Sequence, residues 1–217
     1  MSLPAASTAL AVVLLLVVML WFTWGTQHNI SRGNQLLRWL QGGLPLLGRR
    51  TTLRWLGSSA AELGIAEPEP PFAEVNVLVV LEPRDVPWLW ARARARGRRD
   101  FMIFRASLPR SPRFELEVGN PSGWTGSEGL DRLDEATWLS ADWGRPGLRV
   151  LHAPGAVPDT VRPIFDRLAE ASGGVWRLSV RRDPPHLEVH VLPPDPEADA
   201  AVFIGAFVDL ARSAGQR

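Results

Sequence analysis

Cysteine, lysine and tyrosine are all absent from this 217-residue chain. Without cysteine there is no disulfide, no thiolate nucleophile and no sulfur ligand for a metal. Without lysine there is no Schiff-base amine and no P-loop side chain to grip a phosphate. All 24 basic residues are therefore arginine. Charge of either sign is also missing from one long stretch, since no ionisable side chain occurs between Pro4 and Trp24.

That stretch contains the most informative run in the chain, the apolar sequence from Leu10 to Trp24. At a rise of about 1.5 Å per residue, the uncharged span reaches the roughly 30 Å of a bilayer's hydrocarbon, so it is expected to be a transmembrane helix. Trp21, Phe22 and Trp24 would form the aromatic belt at its end. A cleaved signal peptide fits poorly, because Met1 to Leu10 has no arginine and WFTWGTQ follows where small residues belong. An uncleaved anchor over residues 1–25 is the expectation. Arg32, Arg38, Arg49, Arg50 and Arg54 all follow it before the first acid at Glu62. By the positive-inside rule, the short N-terminus should be outside the cell membrane and the rest of this single-pass chain cytoplasmic.

Residues 26–66 are expected to form basic amphipathic juxtamembrane helices. Ile30, Leu36, Leu37 and Leu40 share one helical face from Ile30 to Gln41, with Arg32 and Arg38 turned away. Trp39 has the character of an interfacial residue, so Trp21, Trp24, Arg32, Arg38 and Trp39 make up the expected membrane interface. A second helix is expected from a Thr51–Thr52 cap, with Leu53, Leu56, Ala60 and Leu63 at helical spacing. Either helix could lie on lipid or continue the anchor and pack on the soluble domain. The Pro/Glu-rich segment 67–73 reads as a linker.

The cytoplasmic domain is then expected over 74–217, as a small α/β-sandwich-like unit of the α+β class. Glu74–Leu81 has the β-branched character of a buried strand. Val86–Arg96 reads as a helix capped by Asp85 and stopped by Gly97. Asp100–Leu108, Arg113–Val118, Leu148–His152, Val175–Arg181 and Leu187–Leu192 read as strands. Helices are expected at Pro158–Ala171 and Pro196–Ala211. Setting Val86-Pro87 over Val157-Pro158 nearly superposes two β-α-β-β patterns. This suggests a tandem duplication with halves 74–142 and 143–217 building one continuous sheet.

The net charge of +1 hides alternating blocks. Thr26–Ala61 holds five arginines and no acid, Glu62–Pro83 five glutamates and no base, and Arg84–Arg113 nine arginines against Asp85 and Asp100. Phe114–Asp142 reverses the sign with seven acids against Arg132. Alternation of this kind points to charges that pair within the fold or with a neighbour.

No catalytic constellation emerges. His186, Glu188 and His190 alternate along a strand, but residues four apart there are about 13 Å apart, too far for two imidazoles to share a metal. A solvated strand face is the expectation for them. The glycines of Gly119–Gly129 are followed by no lysine, and Glu128, Asp131, Asp134 and Glu135 downstream would repel a phosphate, so the segment reads as a connector. Asp131, Asp134 and Glu135 share helical spacing without a base or pocket. No catalytic, cofactor-binding or metal-binding residue is assigned, and no cofactor is expected.

A candidate binding surface remains. Arg92, Arg94, Arg96, Arg98 and Arg99 stand beside Trp88 and Trp90, residue types suited to phosphate contacts and base stacking or to anionic lipid. In the competing arrangement these arginines pair with the acids between Glu115 and Asp142 while the indoles fill the core. The expected function is a non-catalytic, membrane-anchored accessory subunit, scaffold or assembly factor of a membrane complex. The alternative is a membrane-tethered binding module for polyanions. Expected partners are the lipid bilayer and membrane proteins, with nucleic acid the weaker alternative.

Overall fold

A single helix, α1 (Leu3–Gln41), contains both the apolar run and the stretch expected to form a separate surface helix. The computed structural model describes residues 3–121, 123–131, 133 and 137–215. Within them the chain is an α+β fold with this long N-terminal helix and one nine-stranded sheet, all of whose pairings are antiparallel. Asp134 and Glu135 lie outside the described residues.

The strands are β1 (Gly48–Trp55), β2 (Ala60–Pro68), β3 (Glu74–Val80), β4 (Phe101–Ser107), β5 (Leu116–Gly119), β6 (Leu139–Ala141), β7 (Arg149–His152), β8 (Val175–Val180) and β9 (Leu187–Val191). The remaining helices are α2 (Leu44–Leu47), α3 (Pro87–Ala95), α4 (Gly126–Asp131), α5 (Arg162–Glu170) and α6 (Ala200–Gly215). The sheet order is β1-β2-β3-β4-β9-β8-β5-β7-β6.

Period-two alternation gives the sheet two unlike faces. Val77, Phe104, Val189 and Leu178 follow one another across paired strands and are fully buried. Their face carries α6, whose Phe203 and Phe207 rings lie 4.7 and 5.8 Å from that of Phe104. The C-terminal part of α1 joins this core through Leu36, Trp39 and Leu40. The opposite face bears charged side chains, among them Arg105, Glu117, Arg177 and Glu188.

Three expectations are corrected. The helix predicted from Thr51–Thr52 is the β1–β2 hairpin. Its turn at Gly57 has φ +83, a left-handed conformation that glycine adopts at little cost and that would break a helix. The segment 67–73 does not separate two units. Strand β2 extends to Pro68 and pairs with β3, and buried Phe72 stacks on Phe207 at 5.5 Å. The predicted halves are not spatial equivalents, because β3 and β4 are neighbours whereas β7 and β8 are separated by β5. The expected continuous sheet is present, but its strands interleave instead of repeating.

Smaller differences have local causes. Asp85 does not cap α3 but accepts a 2.6 Å hydrogen bond from the Ser58 hydroxyl. Val86 takes the cap position without a side-chain bond, and Pro87 in the first turn has no N–H to satisfy. Gly97, at φ +82, ends α3 as expected. On the edge strand β1, Arg50 has φ +53 and drops out of the register between Arg49↔Glu67 and Thr51↔Ile65.

Candidate functional site

Two clusters of polar side chains stand out, one where α1 meets the domain and one on the charged face of the sheet. At the first, Gly25 lets the helix backbone press against the loop after β3. A Cβ built there would come within 2.2 Å of the Arg84 carbonyl oxygen. Gly33 makes a similar approach to the Trp55 ring. Around these contacts the Trp21 indole N–H donates to the Arg84 carbonyl at 2.9 Å, and the Asn29 amide donates to the Glu82 carbonyl at 3.0 Å.

Ion pairs complete the junction. Arg84 donates two hydrogen bonds to Asp100, at 2.8 and 3.0 Å, and Asp100 also accepts the Glu82 backbone N–H at 2.8 Å. Arg32 of α1 approaches Asp100 at 3.6 Å. The Glu82 side chain is only 2% exposed and is held by Arg94 at 3.1 Å, by Arg84 at 3.6 Å and by the Trp90 indole N–H. A buried carboxylate needs such compensation, since leaving it alone would cost several kcal/mol.

The structure divides the predicted arginine and tryptophan surface. Arg94 is tied to Glu82, and Arg98 donates to the Leu81 carbonyl at 3.2 Å while lying 6.0 Å from the Trp124 ring. Arg99 bonds the carbonyls of Arg94 and Arg98. Trp90 is half-buried, its ring 6.0 Å from that of Trp21. Trp88, Arg92 and Arg96 remain exposed on the outer side of α3. The acids between Glu115 and Asp142 are therefore not the partners of the Arg92–Arg99 run among the described residues.

The predicted membrane-interface set is divided as well. Trp21 and Trp24 are neighbours at 5.5 Å, and Trp24 is 52% exposed. Trp39 is a core residue, 8% exposed, with its indole N–H donating to the Ala198 carbonyl at 2.8 Å and its ring 5.9 Å from Phe203. Arg32 faces Asp100, and Arg38 is exposed with its Nε on the Asn34 carbonyl at 3.3 Å.

The second cluster, which no sequence motif marks, is a ladder of alternating charge across the sheet. Arg54 on β1 pairs with Glu62 at 2.6 Å, and Glu62 accepts from Asn76 at 2.8 Å. Farther along, Arg105 pairs with Glu188 at 2.7 Å and Glu188 with Arg177 at 2.7 Å. Arg177 and Arg181 both reach fully buried Glu117 at 2.6 Å, and Arg181 stands 4.6 Å over the Trp138 ring. Helix α4 covers this end so closely that a Cβ on Gly129 would meet both Glu117 and Arg177 at 2.3 Å. The charge blocks of the sequence thus become cross-strand pairs.

Glu188 and His190 belong to this internal network and His186 is buried apart from it, so the three do not form the solvated face expected of them. The His186 ring is buried and its Nδ1 accepts the Leu108 N–H at 2.8 Å. His190 is also buried, with Nε2 2.8 Å from Glu188 and its ring stacked on Phe101. No group of three or more metal-ligating side chains occurs among the described residues. Burial works to raise the Glu188 pKa, but the hydrogen bond and charge of His190, with Arg105, more than reverse it and hold the carboxyl at about 2. For Glu62 the Asn76 hydrogen bond and then that of Arg54 lower the pKa.

A carboxylate depressed in the folded state stabilises the fold above its ordinary value, and that contribution fades as pH falls toward the folded value. Stability linked to Glu188 should therefore be complete above about pH 4.5 and be lost progressively down to about pH 2. Glu188→Gln is expected to lower stability by about 3 kcal/mol at pH 7 and to flatten this acid limb. Urea unfolding at a series of pH values reads both effects, and parallel pH profiles for the native chain and the variant would refute the assignment.

Compared with protein-family models and with curated proteins, the chain finds no match. What can be said of its class comes from the fold: an α+β protein whose N-terminal helix is long and apolar enough to cross a membrane.

Proposed function

We propose that this chain is a single-pass membrane protein whose cytoplasmic domain is a non-catalytic accessory or scaffold subunit of a membrane complex. The observation that carries the reading is the continuity of α1. Every large apolar side chain from Leu10 to Leu20 is between 44% and 70% exposed, while Asn29, Leu36 and Leu40 of the same helix are at most 2% exposed within the domain. A helix that is apolar all round belongs in lipid. Burial would recover roughly 1.5 kcal/mol or more for each of its large side chains. Because α1 runs unbroken into the domain and is hydrogen-bonded to it through Trp21 and Asn29, the bilayer would orient the domain as well as retain it, which suits a subunit that must meet its partners at a set height and angle. The part of the charged face around Arg54, Glu62, Asn76 and Arg105 offers polar groups to such a partner.

Two measurements test the proposal. Solubilisation in a mild detergent should release the protein in a complex well above monomer mass, and recovery solely as a monomer would argue against an accessory role. A tag placed after Arg217 should resist protease added outside intact cells, whereas digestion would invert the orientation.

A further inference from the structure

We propose that the outer side of α3 is a docking face for anionic phospholipid headgroups, so that the domain rests on the bilayer as well as hanging from it. This inference rests on the membrane-anchor reading of α1. Trp88, Arg92 and Arg96 follow one another at four-residue spacing and so share one side of the helix. Trp88 is 69% exposed and the neighbouring Leu89 is 46% exposed, so apolar surface stands beside the two arginines on this side of the helix.

The arginines of this face differ from most others in the protein. Arg54, Arg84, Arg94, Arg105, Arg177 and Arg181 each reach a carboxylate. Arg92 and Arg96 are exposed and reach no acidic side chain among the described residues. A pair of arginines left without counter-charge beside exposed aromatic and aliphatic groups matches a phospholipid surface. There the phosphate takes the guanidinium and the interfacial zone takes the indole.

Position selects lipid over nucleic acid. The Trp90 ring lies 6.0 Å from that of Trp21, and the Trp21 indole is bonded to Arg84 just before α3. Helix α3 is therefore level with the aromatic end of the exposed apolar run, where Phe22 and Trp24 are each 52% exposed. The Leu56 side chain, 45% exposed on the β1–β2 turn, is at the same end of the sheet, because the Ser59 carbonyl accepts the Leu81 N–H. The belt of the anchor thus continues onto the domain, with charge at its rim.

The absence of native cysteine makes the test direct. A single nitroxide would be placed by Leu89→Cys, and a control by Arg110→Cys at the far end of β4, in the full chain reconstituted into phosphatidylcholine discs with or without phosphatidylglycerol. The label at 89 is expected at interfacial depth and the control in water. Lipids released with the protein should be enriched in phosphatidylglycerol by about fivefold for each of the two arginines. Arg92→Ser with Arg96→Ser should bring that ratio close to parity, and the paired lysine substitutions should preserve it. A chain that stays embedded while the label at 89 is as water-accessible as the control overturns this inference alone. A label that responds to RNA or DNA fragments and not to phosphatidylglycerol assigns the face to nucleic acid instead. Extraction of the native chain from the bilayer by alkaline carbonate overturns the anchoring reading and this inference with it.

Discussion

Gly25→Val is expected to unseat α1 from the domain while leaving its apolar run intact. The new side chain would start 2.2 Å from the Arg84 carbonyl oxygen and 2.6 Å from the Asp85 nitrogen, both backbone atoms that cannot rotate away. The helix must therefore lift, and the hydrogen bonds of Trp21 and Asn29 to the following loop lengthen with it. Overpacking typically costs about 1–3 kcal/mol and each lost hydrogen bond about 1, which together give about 3–5 kcal/mol. Thermal unfolding of the full chain in detergent reads the loss, and hydrogen exchange at Asn29 and Leu36 should rise with it. Gly205→Ala is the opposite control. A Cβ there meets nothing within 4 Å, so removing a glycine from the interior of α6 should stabilise by up to about 1 kcal/mol. An unchanged melting temperature for Gly25→Val would mean that the close approach at this crossing does not hold the helix.

Glu117→Ala should be at least as damaging. Its carboxylate is fully buried and accepts from Arg177 and Arg181, each at 2.6 Å. Deleting it leaves two guanidinium groups beside a sheet face that α4 has partly closed to water, and removal of one partner from a buried ion network costs about 3–5 kcal/mol. Arg181→Ala should be milder, since that side chain is 23% exposed and the Arg177 pairing survives it. Denaturant midpoints for the two variants test the ranking, and equal losses would show that the ladder does not centre on Glu117.

The apolar run and most strands of the domain were legible because their signals are local. β-branched runs such as that in β3, and the glycine after α3, state their conformations without reference to the rest of the chain. The hairpin is hidden because Leu53, Leu56, Ala60 and Leu63 imitate helical spacing. The alternating Ala61, Leu63 and Ile65, with a glycine between the two halves, carried the true period. The residue type of Trp39 suggests lipid, while the hydrogen bond to Ala198 that places it in the core joins residues far apart in the chain. The charge ladder was invisible for the same reason. Arg177 and Glu117 become neighbours only when β5 and β8 pair, a contact that no spacing in the sequence announces.

The irregularity of β1 bears on what the protein avoids. A sheet of this width ends in an eight-residue strand whose outer backbone groups have no ladder partner in the sheet. Such a border would ordinarily recruit further strands and seed fibres. Here the backbone kinks at Arg50, and guanidinium groups at Arg49, Arg50 and Arg54 line the same border. An incoming chain would have to follow the bend and desolvate those charges, so the sheet stops growing at β1.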